Sequence, residues 1–146
     1  MFMTAAAMRA ADATRALRDR RLRGEKAGEV AKLFAKHFKV KQHVRHLNST
    51  KVGVAVGTPN RIGKLLCDTG EYDIFPSSRH PLTGFGQDAL ALSALTHVIL
   101  DVTFRDQKQR SLLDIPEVRD DVFKTVLGCP KMVDAIKAGK VQVVLF

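Results

Sequence analysis

Cysteine is scarce in this sequence of 146 residues. Its two cysteines, Cys67 and Cys129, are not spaced as a CxxC pair, and no secretory signal precedes them. These features predict free thiols in a reducing compartment. Cys67 shares a helix-like stretch with several apolar residues, which predicts a small buried hydrophobic side chain there.

Several other features are missing. No apolar stretch is long enough to span a membrane, so we expect no membrane partner. No GxxxxGK[ST] segment is present, which excludes a P-loop ATPase in these residues. His43 and His46 have helical spacing, but their stretch holds no acidic residue or cysteine to complete a metal site. In this Lys- and Arg-rich stretch we expect them to add to a polar or RNA-facing surface instead of binding a metal. We therefore expect no metal, no cofactor and no small-molecule substrate.

Acidic residues are absent from Val30 to Cys67, although that stretch holds eight basic residues. Residues 1–67 carry 15 Lys and Arg against 4 Asp and Glu, a net charge of +11. Residues 68–146 carry 9 against 11, a net charge of −2. This imbalance predicts a polyanionic partner, and RNA or DNA is the commonest one. A basic surface that serves only solubility would show the same composition.

The Ala- and Arg-rich opening allows another interpretation. It has the composition of a mitochondrial transit peptide. Asp12, Asp19 and Glu25 argue against one, because transit peptides avoid acidic residues.

Strand-like and helix-like patterns alternate along the chain, which predicts an α/β fold with a mostly parallel sheet and flanking helices. Four apolar runs predict strands buried on both faces of the sheet, and longer 3.6-periodic segments predict helices. One helix is predicted from Glu25 because Val30, Leu33, Phe34 and Phe38 have helical spacing. The predicted strands are 1–6, 51–56, 96–102 and 141–146, and the other predicted helices are 7–21, 40–47, 61–67, 116–126 and 130–138.

Residues 70–94 predict a long insertion loop, which either binds a partner or is partly disordered. Only four strands are visible, and the first begins at the first residue. We therefore expect part of the domain to lie upstream of Met1 or to be missing.

The junction VAVGTPNRIGKLL joins a predicted strand to a predicted helix. Gly57 permits positive φ or a close backbone approach, Thr58 is a good N-cap, and Pro59 suits the first helical position. A well-made turn explains these three residues without a ligand. The free amides of a helix N-terminus also attract anions, and Arg61 on the first turn can share the same phosphate.

Basic residues recur on both sides of that junction. On the first predicted helix, Arg15 and Arg18 lie close to helical spacing and predict a positive edge. The stretch before the junction adds four further candidates for a basic surface. These are Lys36, Lys39, Lys41 and Arg45. A solvated face would have the same pattern.

Asp101 follows a predicted strand, at the edge where α/β sheets place catalytic carboxylates. With Thr103 it faintly resembles the motif of aspartate-nucleophile phosphatases, whose second Asp is replaced here by Thr103. No companion lysine or acidic cluster is recognisable. We favour a structural aspartate that caps the following turn.

Three stretches resemble, in order, the motifs of DEAD-box RNA helicases. VAVGTPNRI resembles their GTPGR motif, THVILDVTFRD their VLDEAD strand, and MFMTAAAMRAADATRAL the strand and helix of their PTRELA motif. Three longer runs are similar to a helicase-like family of eukaryotic ribosome-assembly factors, the Cms1-type subunits of the U3-containing 90S pre-ribosome. These runs are KLFAKHFKV, VGVAVGTPNRI and FRDQKQRSLLDIPEVRDDVF.

The resemblance implies a single degenerate RecA-like domain over residues 1–146, like the first domain of DEAD-box helicases but without its N-terminal P-loop strand. Asp101 matches the first acid of the helicase strand, but Val102 and Thr103 replace its Glu and Ala. The Glu that orients the attacking water is therefore absent. With the phosphate loop also missing, the resemblance implies that the protein is not an enzyme.

The resemblance also implies a site. Thr58, Pro59 and Arg61 match the helicase motif that touches the RNA backbone, and Asn60 replaces its Gly. Arg9 stands near the Arg of the PTREL motif. The predicted phosphate-binding set is Gly57, Thr58, Pro59, Asn60, Arg61, Lys64 and Arg9.

The expected partners are pre-rRNA or snoRNA and other small-subunit pre-ribosome proteins, in the nucleus and nucleolus. The expected role is that of a non-catalytic factor in small ribosomal subunit biogenesis and rRNA processing. Two alternatives stay open. One is a pure protein-interaction scaffold without RNA affinity, and the other is an Asp101-dependent phosphohydrolase.

Overall fold

The computed structural model describes residues 1–23, 27–34, 38–67, 90 and 92–146. Its described strands are β1 (Phe2–Met3), β2 (Glu29–Leu33), β3 (Val52–Gly57), β4 (His97–Leu100) and β5 (Gln142–Leu145). They form one sheet in the order β2-β3-β1-β4-β5, and each neighbouring pair is parallel. The prediction of an α/β fold with a parallel sheet and flanking helices is confirmed.

The helices begin where the sequence provides suitable first residues. Pro116 and Pro130 each occupy the start of a helix, where a missing backbone N–H costs nothing. The backbone N–H of Leu127 donates to the Val122 carbonyl oxygen at 2.8 Å, a bond that spans five residues and defines a π-helical segment. The described helices are α1 (Ala7–Leu17), α2 (Arg20–Arg23), α3 (Val40–Ser49), α4 (Pro59–Cys67), α5 (Pro116–Asp120), the π-helical segment (Asp121–Val126) and α6 (Pro130–Lys137).

Helices cover the sheet from both sides. On one face α1 packs against β2 and β3, where Ala10, Val30 and Val56 are buried together. On the other face a larger core unites the sheet with α3, α4, the π-helical segment and α6. Its largest fully buried side chains include Met3, Leu33, Ile62, Leu65, Leu100, Leu112 and Met132.

The helix predicted from Glu25 is wrong, because Glu29–Leu33 forms strand β2 and pairs with β3 along its length. This strand raises the number of strands above the four that were predicted. Val30 faces α1, whereas Ala31 and Leu33 face the larger core, so β2 is buried on both faces. In a run this short, helical spacing and a two-sided strand look alike, and pairing with β3 decides between them.

Other boundaries also differ from the predictions. The first helix ends at Leu17, and a separate short helix, α2, follows it. Of the predicted loop 70–94, residues 70–89 and 91 lie outside the described residues, while Leu92–Ala94 form a 3₁₀ turn.

Gly57 ends β3 opposite Leu33 of β2, and its backbone leaves no room for a side chain. A Cβ at position 57 would overlap the carbonyl oxygen and Cβ of Leu33. Close approach is the reason for glycine here, since Gly139 is the described glycine that has positive φ.

Replacing Gly57 by Ala should lower the free energy of unfolding by about 2–3 kcal/mol, because β2 and β3 must move apart. Gly139→Ala is the control: nothing lies within 4 Å of the added Cβ, and only its φ of +69° opposes the change. That should cost about 1–2 kcal/mol. Urea denaturation of both variants measures the difference. A loss at position 57 no larger than the loss at position 139 would contradict the close-packing account.

Candidate nucleic-acid interface

The carboxyl ends of the parallel strands meet along one edge of the sheet. Thr4, Thr58 and Asp101 directly follow β1, β3 and β4 at this edge. From β1 the chain proceeds to β2 and β3 on one side, and it then returns across β1 to β4 and β5 on the other. Crevices at such a change of direction are the usual ligand sites of open α/β sheets.

Asp101 is fully buried at this edge and is held by three hydrogen bonds. Its Oδ2 accepts from Nε of Arg9 at 2.9 Å, and its Oδ1 accepts from Oγ1 of Thr103 at 2.7 Å and the backbone N–H of Phe104 at 3.2 Å. The predicted structural role, capping the turn after the strand, is confirmed. Burial by itself raises the pKa of Asp101, but the hydrogen bonds from Arg9 and Thr103 and the Arg9 charge outweigh it and lower the pKa.

Arg9 lies in α1 and was predicted to bind phosphate. Its side chain is 35% exposed, and its Nε is engaged with Asp101. Its structural partner is therefore a carboxylate of the same chain.

The predicted junction between strand and helix exists, and α4 begins at Pro59. The backbone N–H of Thr58 donates to the Leu33 carbonyl oxygen at 3.1 Å, and its carbonyl accepts from the N–H of Ile62 at 3.1 Å. The turn is thus tied both to β2 and to its own helix.

The predicted phosphate-binding residues of this junction differ in exposure. Asn60 and Lys64 are exposed, and Thr58 is half-buried. The buried members are Gly57, Pro59 and Arg61. Arg61 is only 9% exposed, and its Nη1 has no hydrogen-bond partner among the described residues.

His43 of α3 is the second buried polar side chain beside α4. It is 3% exposed, and neither ring nitrogen has a hydrogen-bond partner within the described part of the chain. Its ring stacks on Phe38, with centroids 5.5 Å apart and an angle of 26° between the planes. Burial, followed by the positive charges of Arg61 and His46, lowers the pKa of His43.

Three basic side chains are exposed at the start and along the outer side of α3. They are Lys39, Lys41 and Arg45. The Lys39 backbone N–H donates to Oε1 of Gln42 at 2.8 Å, which closes the first turn of the helix. We call Lys39, Lys41 and Arg45, with Lys64 of α4, the α3 surface.

The other predicted basic residues do not join the α3 surface. Arg15 and Arg18 lie at the end of α1, on the opposite face of the sheet. Arg15 also forms an ion pair with Asp12. Lys36 and the side chain of Cys67 lie outside the described residues, whereas Cys129 is a buried free thiol.

Sequence reasoning placed His43 on a polar or RNA-facing surface and Phe38 in an apolar stripe, and it anticipated neither the burial of the histidine nor the exposure of the phenylalanine. Phe38 was assigned to an apolar helical stripe, yet it is 54% exposed. A signal for His43 was present: with Val40, Val44 and Leu47 it shares the face of α3 that packs on the core. A polar residue on such a face is buried, and it therefore needs a hydrogen-bond partner.

None of the described helices has the length and apolar composition needed to cross a membrane. Among the same residues, no group of three or more His, Cys, Asp or Glu side chains is placed to hold a metal ion.

Replacing Arg9 by Ala leaves the buried Asp101 carboxylate without its cation and should lower the free energy of unfolding by about 2–3 kcal/mol at pH 7. The folded-state pKa of Asp101 is depressed, so its stabilisation is present above the unfolded pKa of about 4 and is lost as the pH falls through the folded value. The gap between the wild type and the variant should therefore shrink in acid. Urea denaturation at pH 7 and at acidic pH tests this.

Arg15→Ala is the matched control, because Arg15 and its partner Asp12 are both largely exposed. It should change the stability by less than about 1 kcal/mol. Equal losses in the free energy of unfolding for the two variants would show that the Arg9–Asp101 pair contributes no more than an exposed ion pair.

Comparison with known proteins gives consistent matches. The family profile described as CMS1, U3-containing 90S pre-ribosomal complex subunit, matches residues 1–74 and 82–146. Protein CMSS1 of Danio rerio is 33% identical over 118 residues, which cover 81% of this chain and 33% of that protein. Protein CMS1 of Chaetomium thermophilum is 36% identical over 117 residues, covering 80% of this chain and 38% of that protein.

Protein CMSS1 of Homo sapiens is 39% identical over 97 residues, covering 66% of this chain and 28% of that protein. The chain therefore spans about a third of the length of the curated relatives it matches. The match of the family profile nevertheless runs from the first residue to the last, with one short gap. The chain belongs to the CMS1 family of U3-containing 90S pre-ribosomal complex subunits.

Proposed function

We propose that this protein is a non-catalytic assembly factor in small ribosomal subunit biogenesis, and that its α3 surface binds the backbone of pre-rRNA or snoRNA. Membership in a family of 90S pre-ribosomal subunits supports the setting, in the nucleus and nucleolus, and supports other pre-ribosomal proteins as partners. The observation that carries the RNA contact is the exposed basic group on α3, within a stretch that has no acidic residue.

The electrostatics of the α3 surface favour a polyanion. Lys39, Lys41 and Arg45 are exposed, and from Val30 to Cys67 no carboxylate is available in the sequence to neutralise them locally. Phosphate oxygens are the acceptors that such side chains bind most commonly in nucleic acids. Contacts of this kind position RNA without reading its sequence, and their affinity falls with salt.

An exposed aromatic ring beside the basic group favours single-stranded RNA. Phe38 directly precedes Lys39, and its ring is 54% exposed although it stacks on His43. Proteins that bind single strands combine a basic track with aromatic side chains on which bases stack. A double helix keeps its bases stacked on each other and would not use this ring.

The proposal of a non-catalytic, degenerate RecA-like domain is supported by the state of Asp101. Both carboxylate oxygens are engaged, one by Arg9 and the other by Thr103 and Phe104. The side chain is also fully buried. A nucleophilic or metal-binding carboxylate needs a free oxygen and access to substrate, so these contacts argue against the phosphohydrolase alternative.

A different observation favours the scaffold alternative. The last strand, β5, exposes large apolar side chains at Val143, Val144 and Leu145, and Phe146 beyond it is 57% exposed. Contiguous exposed apolar residues on a strand are typical of surfaces that bind other proteins. Protein docking at β5 is compatible with RNA binding at α3, because α3 connects β2 and β3 at one edge of the sheet and β5 is the strand at the other edge.

The α3 surface should bind a labelled single-stranded RNA with an affinity that falls linearly in a plot of log K against log salt. If three phosphates are contacted, the slope should be about −2. The double variant Lys41→Ala/Arg45→Ala removes two of these contacts. The slope should then become shallower, with a magnitude below about 1. Fluorescence anisotropy at several salt concentrations measures both quantities.

Arg61→Ala should weaken the same complex by about 1–2 kcal/mol if its guanidinium contacts a phosphate.

The double variant Lys137→Ala/Lys140→Ala, at the end of α6, is the control for the α3 double variant. It removes the same charge from exposed positions outside the α3 surface. It should leave the slope nearly unchanged. No binding at low salt, or equal effects of the two double variants, would contradict RNA binding at α3 and leave the scaffold role.

A further inference from the structure

Two neighbouring helices bury polar side chains whose nitrogens bind nothing in the described part of the chain. Nη1 of Arg61 and both ring nitrogens of His43 are unpaired, although the side chains are nine-tenths buried or more. Buried polar groups normally have partners, and a buried guanidinium nitrogen without one is unfavourable. Exceptions of this kind call for a missing partner such as a water molecule or an ion.

The two side chains do not satisfy each other. A guanidinium has only donors, and a neutral imidazole offers one acceptor nitrogen, yet neither ring nitrogen of His43 accepts from Arg61. Arg61 is nevertheless close enough for its charge to act on His43. The partner that both lack is a group rich in acceptor oxygens.

We propose that His43 and Arg61 form a phosphate subsite between α3 and α4, in which phosphate oxygens accept hydrogen bonds from both side chains and His43 gains a proton. This inference rests on the proposed function and assigns one backbone phosphate of the RNA to this pair. The donors are Nη1 of Arg61 and a ring nitrogen of His43.

The surroundings select an anion over a neutral acceptor. A water molecule or a carbonyl group would complete hydrogen bonds but would leave the guanidinium charge uncompensated. The α3 surface next to the pair is basic, so it attracts anions. A phosphate also matches the planar fork of an arginine, which can bind two oxygens at once.

His43 makes the subsite responsive to pH. In the free protein its pKa is lowered by burial and by Arg61 of α4 and His46 of α3, so the ring is neutral at pH 7. These are the charged groups of the described chain that act on the ring. A bound anion stabilises the imidazolium and raises the pKa of His43. Anion affinity therefore rises as the pH falls through the pKa of the complex, and it levels off below the pKa of the free protein.

Phe38 extends the subsite toward a nucleotide. Its ring stacks on His43 and is itself 54% exposed, so a nucleobase can pack on it beside the bound phosphate. Arg61, His43 and Phe38 together fit one nucleotide of a single strand.

The first test is an NMR titration of the histidine ring nitrogens in the intact wild-type protein, with inorganic phosphate added at constant ionic strength. The pKa of His43 should rise as phosphate saturates the site, whereas the ring signals of His97, an exposed histidine at the start of β4, should not respond to added phosphate. This measurement needs no variant and does not depend on RNA.

The second test uses a single-stranded RNA. Binding to the wild type should tighten by about tenfold from pH 8 to pH 6 if the pKa of His43 moves by one unit across that range. His43→Gln should remove most of this pH dependence, whereas the matched control His97→Gln should retain it. Arg61→Lys keeps the charge but loses the fork, and it should weaken the binding of inorganic phosphate.

The outcomes separate the subsite from the proposed function. A raised pKa of His43 in phosphate supports the subsite even if RNA does not bind, in which case only the RNA proposal fails. An unchanged pKa of His43 at high phosphate concentration overturns the subsite, even if RNA binds elsewhere on the α3 surface.

Discussion

The fold depends on the shortest strand of its sheet. β1 has two residues, Phe2 and Met3, and yet it joins the pair β2–β3 to the pair β4–β5. The backbone N–H of Thr4 donates to the Gly57 carbonyl oxygen at 3.1 Å, and the N–H of Asp101 donates to the Met3 carbonyl oxygen at 2.8 Å. These bonds hold the ends of β1, β3 and β4 together. They therefore fix the positions of Thr4, Thr58 and Asp101, which follow these strands at that edge.

Two buried charged side chains near this edge differ in their hydrogen bonding. Asp101 accepts hydrogen bonds from Arg9, Thr103 and Phe104, so both of its carboxylate oxygens are engaged. Arg61, in the first turn of α4 after the same edge, is buried with an unpaired nitrogen next to a neutral histidine. A buried charge without a partner is unfavourable, and we propose that a bound phosphate supplies the partner that Arg61 lacks. The contrast supports the proposed phosphate contact at Arg61.

Sequence patterns predicted much of this architecture and less of the site. The strand-to-helix junction at Gly57–Pro59 follows from local chemistry, and the structure has it. β2 was missed because a strand of five residues with buried side chains on both faces carries no clear period of its own, and only pairing with β3 identifies it. The burial of Arg61 and the exposure of Phe38 could not be predicted, because both depend on how α3 packs against α4. Likewise, no local pattern shows that Arg15 and Arg18 lie across the sheet from the α3 surface.

The central claim is that RNA contacts this domain at α3 and the start of α4. Ultraviolet cross-linking of the 146-residue protein to a single-stranded RNA, with the cross-linked peptides identified by mass spectrometry, tests it most directly. The account predicts cross-links at Phe38 and along α3, with few or none in α1 and β5. Cross-links concentrated in α1 or β5, or none at low salt, would contradict it.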